Sequence, residues 1–189
     1  MKTYKIHLLR HGMTEANETG RYIGKTDLPL SPEGLAALLK LKERYTYPGA
    51  VRFFTSPAAR CRQTLEVLYP GCQPTPVEGL RECDFGEWEG KRLSELKTDE
   101  RFLQWMEGRT RDIPGGESAD AFRERVCAAF EAVVDELIHR GETEAVLCTH
   151  GGVITLLMQY YSLPRLEPKD CLASPGQGFT LRVTPSVWM

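Results

Sequence analysis

Two stretches of this chain end an apolar run on a histidine followed by glycine. They are Leu8-Leu9-Arg10-His11-Gly12 and Cys148-Thr149-His150-Gly151-Gly152. A neutral imidazole offers one donor and one acceptor nitrogen, so it can attack an electrophile or hold an anion. Arg10 adds a permanent charge on a planar fork, and Gly12 lets the backbone turn and approach an anion closely. A single histidine in this setting suits a core or loop residue equally well. Two in matched context point to one site, provided their strands lie side by side. Arg60 is a third candidate. It follows the helix-start signal Ser56-Pro57, and side chains on a helix lean toward its N-terminus, which returns Arg60 to the same edge. Glu82 is a fourth, but Asp84, Glu87 and Glu89 follow within a few residues, and charge alone does not choose among them.

The elements that must position these groups follow from pattern. Tyr4–Leu9, Val51–Thr55, Thr75–Leu80, Ala145–Cys148 and Phe179–Val183 read as strands. Ser31-Pro32-Glu33 carries the N-cap, first-turn proline and acidic residue of a helix start, with Leu35, Leu38 and Leu39 as its apolar face. Ser56 reads as the N-cap of a helix buried through Cys61, Leu65 and Leu68. Ser118 opens a long helix with Phe122, Val126, Ala129, Val133 and Leu137 on one stripe, ended by Gly141. Val153–Tyr161 is an apolar helix. Short helices are expected near Leu93–Leu96 and Arg101–Glu107. Strands alternating with helices predict a three-layer α/β/α sandwich on a mostly parallel sheet, and in such sheets ligands bind at the carboxyl ends of the strands. The 189 residues suit a single domain. Residues 83–117 read as an excursion over the active-site edge.

Composition removes several function classes. The formal net charge of −2 provides no global field for nucleic acid or a membrane surface. There is no long apolar span and no signal pattern. The six cysteines are scattered without a Cys-x-x-Cys pair, as reduced cytosolic thiols would be. Neither His-Glu-x-x-His nor paired Cys/His spacing occurs, so no metal and no cofactor is expected. Gly20 to Lys25 is one residue short of a phosphate-binding Walker loop, and no cysteine has the arginine spacing of a Cys-dependent phosphatase. Trp88 and Trp105 read as packing residues, Glu117 as a turn residue or a substrate contact, and His7 and His139 as structural or exposed.

The remaining pattern resembles the histidine phosphatase superfamily, which includes the cofactor-dependent phosphoglycerate mutases. Arg10-His11-Gly12-x-Thr14-x-x-Asn17 followed by Gly24-x-x-Asp27-x-Pro29-Leu30 is similar to its opening motif. Ser56-x-x-x-Arg60-x-x-Gln63-Thr64, Leu80-Arg81-Glu82-x-x-Phe85-Gly86-x-Trp88-Glu89-Gly90 and His150-Gly151-Gly152 follow in family order, over residues 10 to 152. The resemblance implies that His11 takes the phosphoryl group. It implies that Arg10, Arg60 and His150 hold the phosphate oxygens, with Asn17, Gly24 and Gly151 also at the phosphate. It makes Glu82 the proton donor and then the base for water. Phosphoryl transfer needs such a set, because it is mainly positioning and charge stabilisation around three oxygens. A protonated His150 would add a third cation, and neighbouring carboxylates would raise the pKa of Glu82.

The mutases of this family carry a longer third-to-fourth motif segment with arginines for a substrate carboxylate. Arg109 and Arg111 do not match that pattern. The expected activity is therefore a phosphomonoester hydrolase acting on a small phosphorylated metabolite. Gly24–Leu30 and Pro114–Ser118 are similar to the α-ribazole-5′-phosphate phosphatases of cobalamin assembly, and also to broad-specificity relatives. A phosphoglycerate mutase and a non-catalytic phospholigand-binding module are the alternatives; binding alone would not need Glu82. The expected state is a cytoplasmic monomer or homodimer.

Overall fold

The computed structural model describes residues 2–184. In chain order the elements are β1 (Tyr4–Arg10), α1 (Glu15–Glu18), α2 (Pro32–Arg44), β2 (Arg52–Thr55), α3 (Ala59–Leu68), β3 (Thr75–Pro76), α4 (Leu93–Leu96), α5 (Glu100–Met106), α6 (Ala119–Arg140), β4 (Glu144–Thr149), α7 (Gly151–Tyr161) and β5 (Gly178–Val183). Single turns of 3-10 helix occupy Glu78–Leu80, Gly86–Trp88 and Pro168–Cys171. The sheet order is β3-β2-β4-β1-β5. All neighbours are parallel except β5, which runs antiparallel to β1.

Alternation along the strands builds the two faces. Ile6, Leu8, Ala145 and Leu147 point into a cluster with Phe122, Val126 and Phe130 of α6 and Val153, Ile154 and Leu157 of α7. Their neighbours Leu9, Val146 and Cys148 pack on the other side against Leu38 of α2 and Leu65 and Leu68 of α3. One residue along a strand changes the face. The result is the expected sandwich of helix, sheet and helix.

Three local expectations are corrected. On α2 only Leu38 of the expected leucine face is buried; Leu35 and Leu39 are 43 % and 49 % exposed. The buried stripe is Gly34 and Leu38 with Leu41 beside them. The strand expected over 75–80 stops after Thr75–Pro76 and tightens into the turn Glu78–Leu80. Pro76 has no N–H to continue a ladder and is tolerated because β3 lies at the sheet edge. Ser56 is not the N-cap of α3. The helix begins at Ala59 with no side-chain cap from Ala58, and Ala59 N donates to Asp27 Oδ1 at 2.8 Å. A carboxylate from another loop caps this helix, which frees Ser56 for the site below. Ser31 and Ser118 do cap their helices, and Gly141 ends α6.

The stretch 83–117 carries a knot of aromatic rings. Trp88 is fully buried against Phe102 and Trp105, as packing residues would be, and Tyr22 contacts Phe85 and Phe102. His7 is structural, bonded to Thr180 and Glu144. Among the described residues no helix is long and apolar enough to cross a membrane.

Candidate active site

The carboxyl ends of β1, β2 and β4 lie next to one another. Arg10 faces Thr149 in the ladder, and Thr55 faces Cys148. The pairing extends one step further, with His11 N donating to Thr149 O at 3.0 Å and Ser56 N to Cys148 O at 2.9 Å. His11, Ser56 and His150 therefore leave the sheet together. The two imidazoles meet edge to face, with ring centres 5.2 Å apart.

His11 is held in one tautomer. Its Nδ1 lies 2.6 Å from Gly12 O. A carbonyl only accepts, so Nδ1 carries the proton and Nε2 keeps its lone pair. Burial first, then the charge of Arg60, pushes its pKa down to about 3, with Arg10 adding and the Gly12 bond opposing. The ring is neutral at physiological pH. Thr64 ties this loop to α3, accepting from Gly12 N at 2.9 Å and donating to Arg60 O at 2.7 Å.

His150 differs from expectation. Arg60 donates to its Nδ1 at 3.2 Å, so its proton sits on Nε2, which donates to Ser56 Oγ at 2.8 Å. Burial first, then the charges of Arg60, Arg10 and Arg125, holds its pKa well below the usual range. It is a neutral ring here, not a third cation, because a charge in this dry, cationic corner would be unsolvated.

Both expected arginines reach the site. Arg60 is buried and donates to the carbonyls of Thr26 and Gly24 at 2.9 and 3.0 Å. Arg10 donates from NH1 to Ala173 O at 2.7 Å. Its Nε is buried with no hydrogen-bond partner among the described residues. The Cβ position of Gly151 lies 3.4 Å from that Nε. The acceptors that meet these guanidiniums are neutral carbonyl and imidazole groups, with no carboxylate ion pair at either one among the described residues. Burial lowers the Arg10 pKa, with Glu82 opposing.

Glu82 approaches from the segment after the 78–80 turn. Its Oε2 accepts from Gly152 N at 2.9 Å and its Oε1 from Cys83 N at 3.0 Å. Burial raises its pKa. The two amides and the charges of Arg60 and Arg10 oppose the rise without cancelling it. Burial, not neighbouring carboxylates, is thus the cause. A Cβ on residue 152 would lie 2.5 Å from Glu82 Oε1, so the carboxyl reaches α7 only because glycine is there.

The remaining candidates have local partners of their own. Asn17 accepts through Oδ1 from Thr14 N and Thr14 Oγ1, both at 3.0 Å, as the reciprocal half of the α1 capping box. That fixes the amide through its Oδ1. Gly24 has its N–H bonded to Glu89 Oε1 at 2.9 Å and its carbonyl to Arg60. A Cβ there would lie 1.6 Å from Cys83 O, so its part is to let the loop pass. Glu117 faces Arg125 in a two-bond ion pair rather than standing free as a substrate contact. Sequence reasoning missed Ser56 as the partner of His150 and Asp27 as a cap; it places Lys169–Gly178, after the His150 helix, at the border of the pocket but assigns it no role. That segment backs the site: Gly176 N donates to Arg10 O and Gln177 O accepts from Arg10 N. These are backbone contacts and leave no side-chain signature.

A family model described as histidine phosphatase superfamily (branch 1) matches residues 6–173. The chain belongs to this superfamily. Superfamily relatives named "Probable phosphoglycerate mutase GpmB", from Salmonella paratyphi C and Salmonella newport, are each 30 % identical over 181 residues, covering 90 % of this chain and 83 % of the relative. The crystal structure of TTHB049 from Thermus thermophilus is 34 % identical with a TM-score of 0.73, covering 95 % of this chain and 92 % of that one. A phosphoglycerate mutase from Bacillus anthracis shares the fold at TM-score 0.79 and 18 % identity, over 97 % and 89 % of the two chains.

Proposed function

We propose that this histidine phosphatase superfamily member hydrolyses a small phosphomonoester through a phosphohistidine on His11. The observation that carries the reading is guanidinium charge with no carboxylate bonded to it among the described residues. Two guanidiniums converge on a neutral imidazole with a free Nε2, and one buried donor, Arg10 Nε, has no acceptor among the described residues. Buried charges are ordinarily paired. A phosphate dianion supplies the missing charge and the missing acceptor together.

The proposed steps make use of that geometry. The Nε2 lone pair of His11 attacks phosphorus and the bond to the leaving oxygen breaks. That oxygen takes the electron pair of the broken bond and the proton of Glu82, whose raised pKa keeps it protonated to higher pH than an ordinary glutamate. Arg10 and Arg60 stabilise the charge on the equatorial oxygens, where fixed donors in a dry site are most effective. The Glu82 carboxylate then removes a proton from water, whose oxygen attacks phosphorus. The P–N bond breaks, its electron pair returns to Nε2, and inorganic phosphate leaves. A dianion beside His150 also favours its protonation, which would supply the third cation once substrate is bound.

The names of the relatives favour a second reading, phosphoglycerate mutation. Against it, Arg109 and Arg111 each face a neighbouring carboxylate, Glu107 and Asp120, rather than standing ready for a substrate carboxylate. The six cysteines are free, which supports a reducing, cytosolic setting.

The test is a phosphate-release screen over sugar phosphates, nucleotides, phosphoglycerates and α-ribazole 5′-phosphate. Release without a bisphosphoglycerate primer, unaffected by chelator, is expected. Primer-dependent isomerisation with little release would favour the mutase. His11→Ala should lose roughly 10⁴-fold or more in rate, together with acid-labile phosphoryl labelling of the protein. Turnover that survives this substitution would sink the mechanism.

A further inference from the structure

Arg125, on α6, belongs to none of the motifs, yet it touches the backbone that delivers Glu82. All five of its N–H donors are used. Nε and NH2 form a two-bond fork with Glu117 Oε1 and Oε2 at 2.9 and 2.7 Å. NH1 donates to Gly79 O at 2.9 Å and to Arg81 O at 3.0 Å. The second NH2 hydrogen goes to Glu82 O at 3.4 Å. The Arg125 guanidinium also lies over the Phe122 ring, 5.2 Å from its centre.

The target of these bonds is what matters. The expected strand ends at Pro76, so no ladder fixes residues 79–82. Carbonyls 79, 81 and 82 would otherwise face water or remain unpaired. Arg125 gathers all three from one side. From the other, Glu117 N donates to Asp84 O at 3.0 Å. The main chain on both sides of Glu82 is therefore clasped by one ion pair, while its carboxyl is aimed by the amides of Cys83 and Gly152.

We propose that Arg125, held by Glu117, is a positioning residue that sets the placement of the Glu82 carboxyl against the leaving oxygen. This rests on the reading of Glu82 as the proton donor. Arginine is required for it. Lysine keeps the charge but has only three donors and no planar fork, so it cannot serve the carboxylate and three carbonyls at once.

A leaving-group comparison tests the proposal. A nitrophenolate leaves as a stable anion, whereas an alkoxide needs a proton in the transition state. Misplacing the donor must therefore slow alkyl phosphates selectively. The first-turnover release of leaving group is measured with enzyme in excess, on p-nitrophenyl phosphate and on glycerol 3-phosphate. Arg125→Lys should lose about 10–100-fold on the alkyl ester and less than about 3-fold on the aryl ester, within the range of general-acid effects. Glu117→Gln, which keeps the fold-bearing arginine, should show the same selectivity with a smaller loss. Glu82→Gln combined with Arg125→Lys should be no slower than Glu82→Gln alone, since both act through one group.

Equal losses on the two esters, or losses that multiply in the double variant, would overturn the clasp and leave Arg125 a fold residue. Selectivity in Glu82→Gln without it in Arg125→Lys overturns the clasp alone. No selectivity in Glu82→Gln overturns the proton-donor reading, and the clasp with it.

Discussion

The two halves of the site are built by different means. The half proposed to hold the anion, Arg10, His11, Arg60 and His150, stands on the ends of regular elements. Its spacing comes from the β1·β4 and β2·β4 ladders and from the first turn of α3. The half proposed to supply the proton, Glu82, stands on an irregular segment and is held by amides and carbonyls contacted from α6, α7 and the 114–118 turn. A ladder fixes many atoms through repeated bonds, so no single side chain decides where His11 sits. The Glu82 segment has no repeat, and a few contacts carry its geometry. The anion half should thus fail through lost charge, and the proton half through lost alignment.

Substitution at Arg60 sharpens that contrast most. Arg60→Lys keeps the charge but not the fork that spans Gly24 O, Thr26 O and His150 Nδ1. A loss of about 10²–10³ in kcat is expected, of the size seen when one transition-state donor is removed. The loss should be the same on aryl and alkyl esters, because the phosphoryl oxygens are common to both. A loss confined to alkyl esters would erase the distinction between the halves.

Gly152→Ala probes the other half gently. Its methyl would crowd Glu82 Oε1 at 2.5 Å without removing any charge. Roughly a tenfold fall in rate on alkyl esters is expected, consistent with part of a general-acid effect, with KM for the aryl ester little changed. Steady-state kinetics on the two esters would show it. An equal fall on both would mean that the crowding acts on α7 rather than on the donor.

The smallest effect concerns acid stability. The His11 pKa is about 3 in the folded chain against an ordinary 6.5. Between those values the unfolded chain binds a proton that the folded chain does not, so stability rises with pH there. The contribution is fully present above about pH 6.5 and is lost as pH falls toward about 3. His11→Gln should therefore flatten the fall in Tm between pH 7 and pH 4 by roughly 10 °C, since the linkage amounts to about 3 kcal/mol at pH 4 and each kcal/mol moves Tm by about 2–4 °C at this size. A calorimetric pH series on both proteins measures it. Parallel slopes would show that His11 charges freely in the folded state.

Much of the fold was legible because it rests on local rules. Ser31 and Ser118 cap, Gly141 ends a helix, and the alternation of Leu8 with Leu9 or Val146 with Leu147 divides the core. Errors arose where a side chain had a distant partner. Ser56 reads locally as a cap, but Asp27 takes that task and Ser56 turns to His150. Residues 77–80 read as a strand, but Arg125 claims the Gly79 carbonyl that a strand would offer and the Arg81 carbonyl beyond it.

By itself, the sequence determined the α/β layering, the two histidines at strand ends and, through four motifs in order, the chemistry expected of them. Hydrophobic period and strand-end glycine act over a few residues, so they are visible in one dimension. Only the tertiary structure decided that burial keeps His150 neutral and raises Glu82, and that Arg125 and Glu117 hold the backbone around that carboxyl. Desolvation depends on everything packed around a group, and a hydrogen bond between residues 43 to 46 positions apart leaves no mark on the spacing of either.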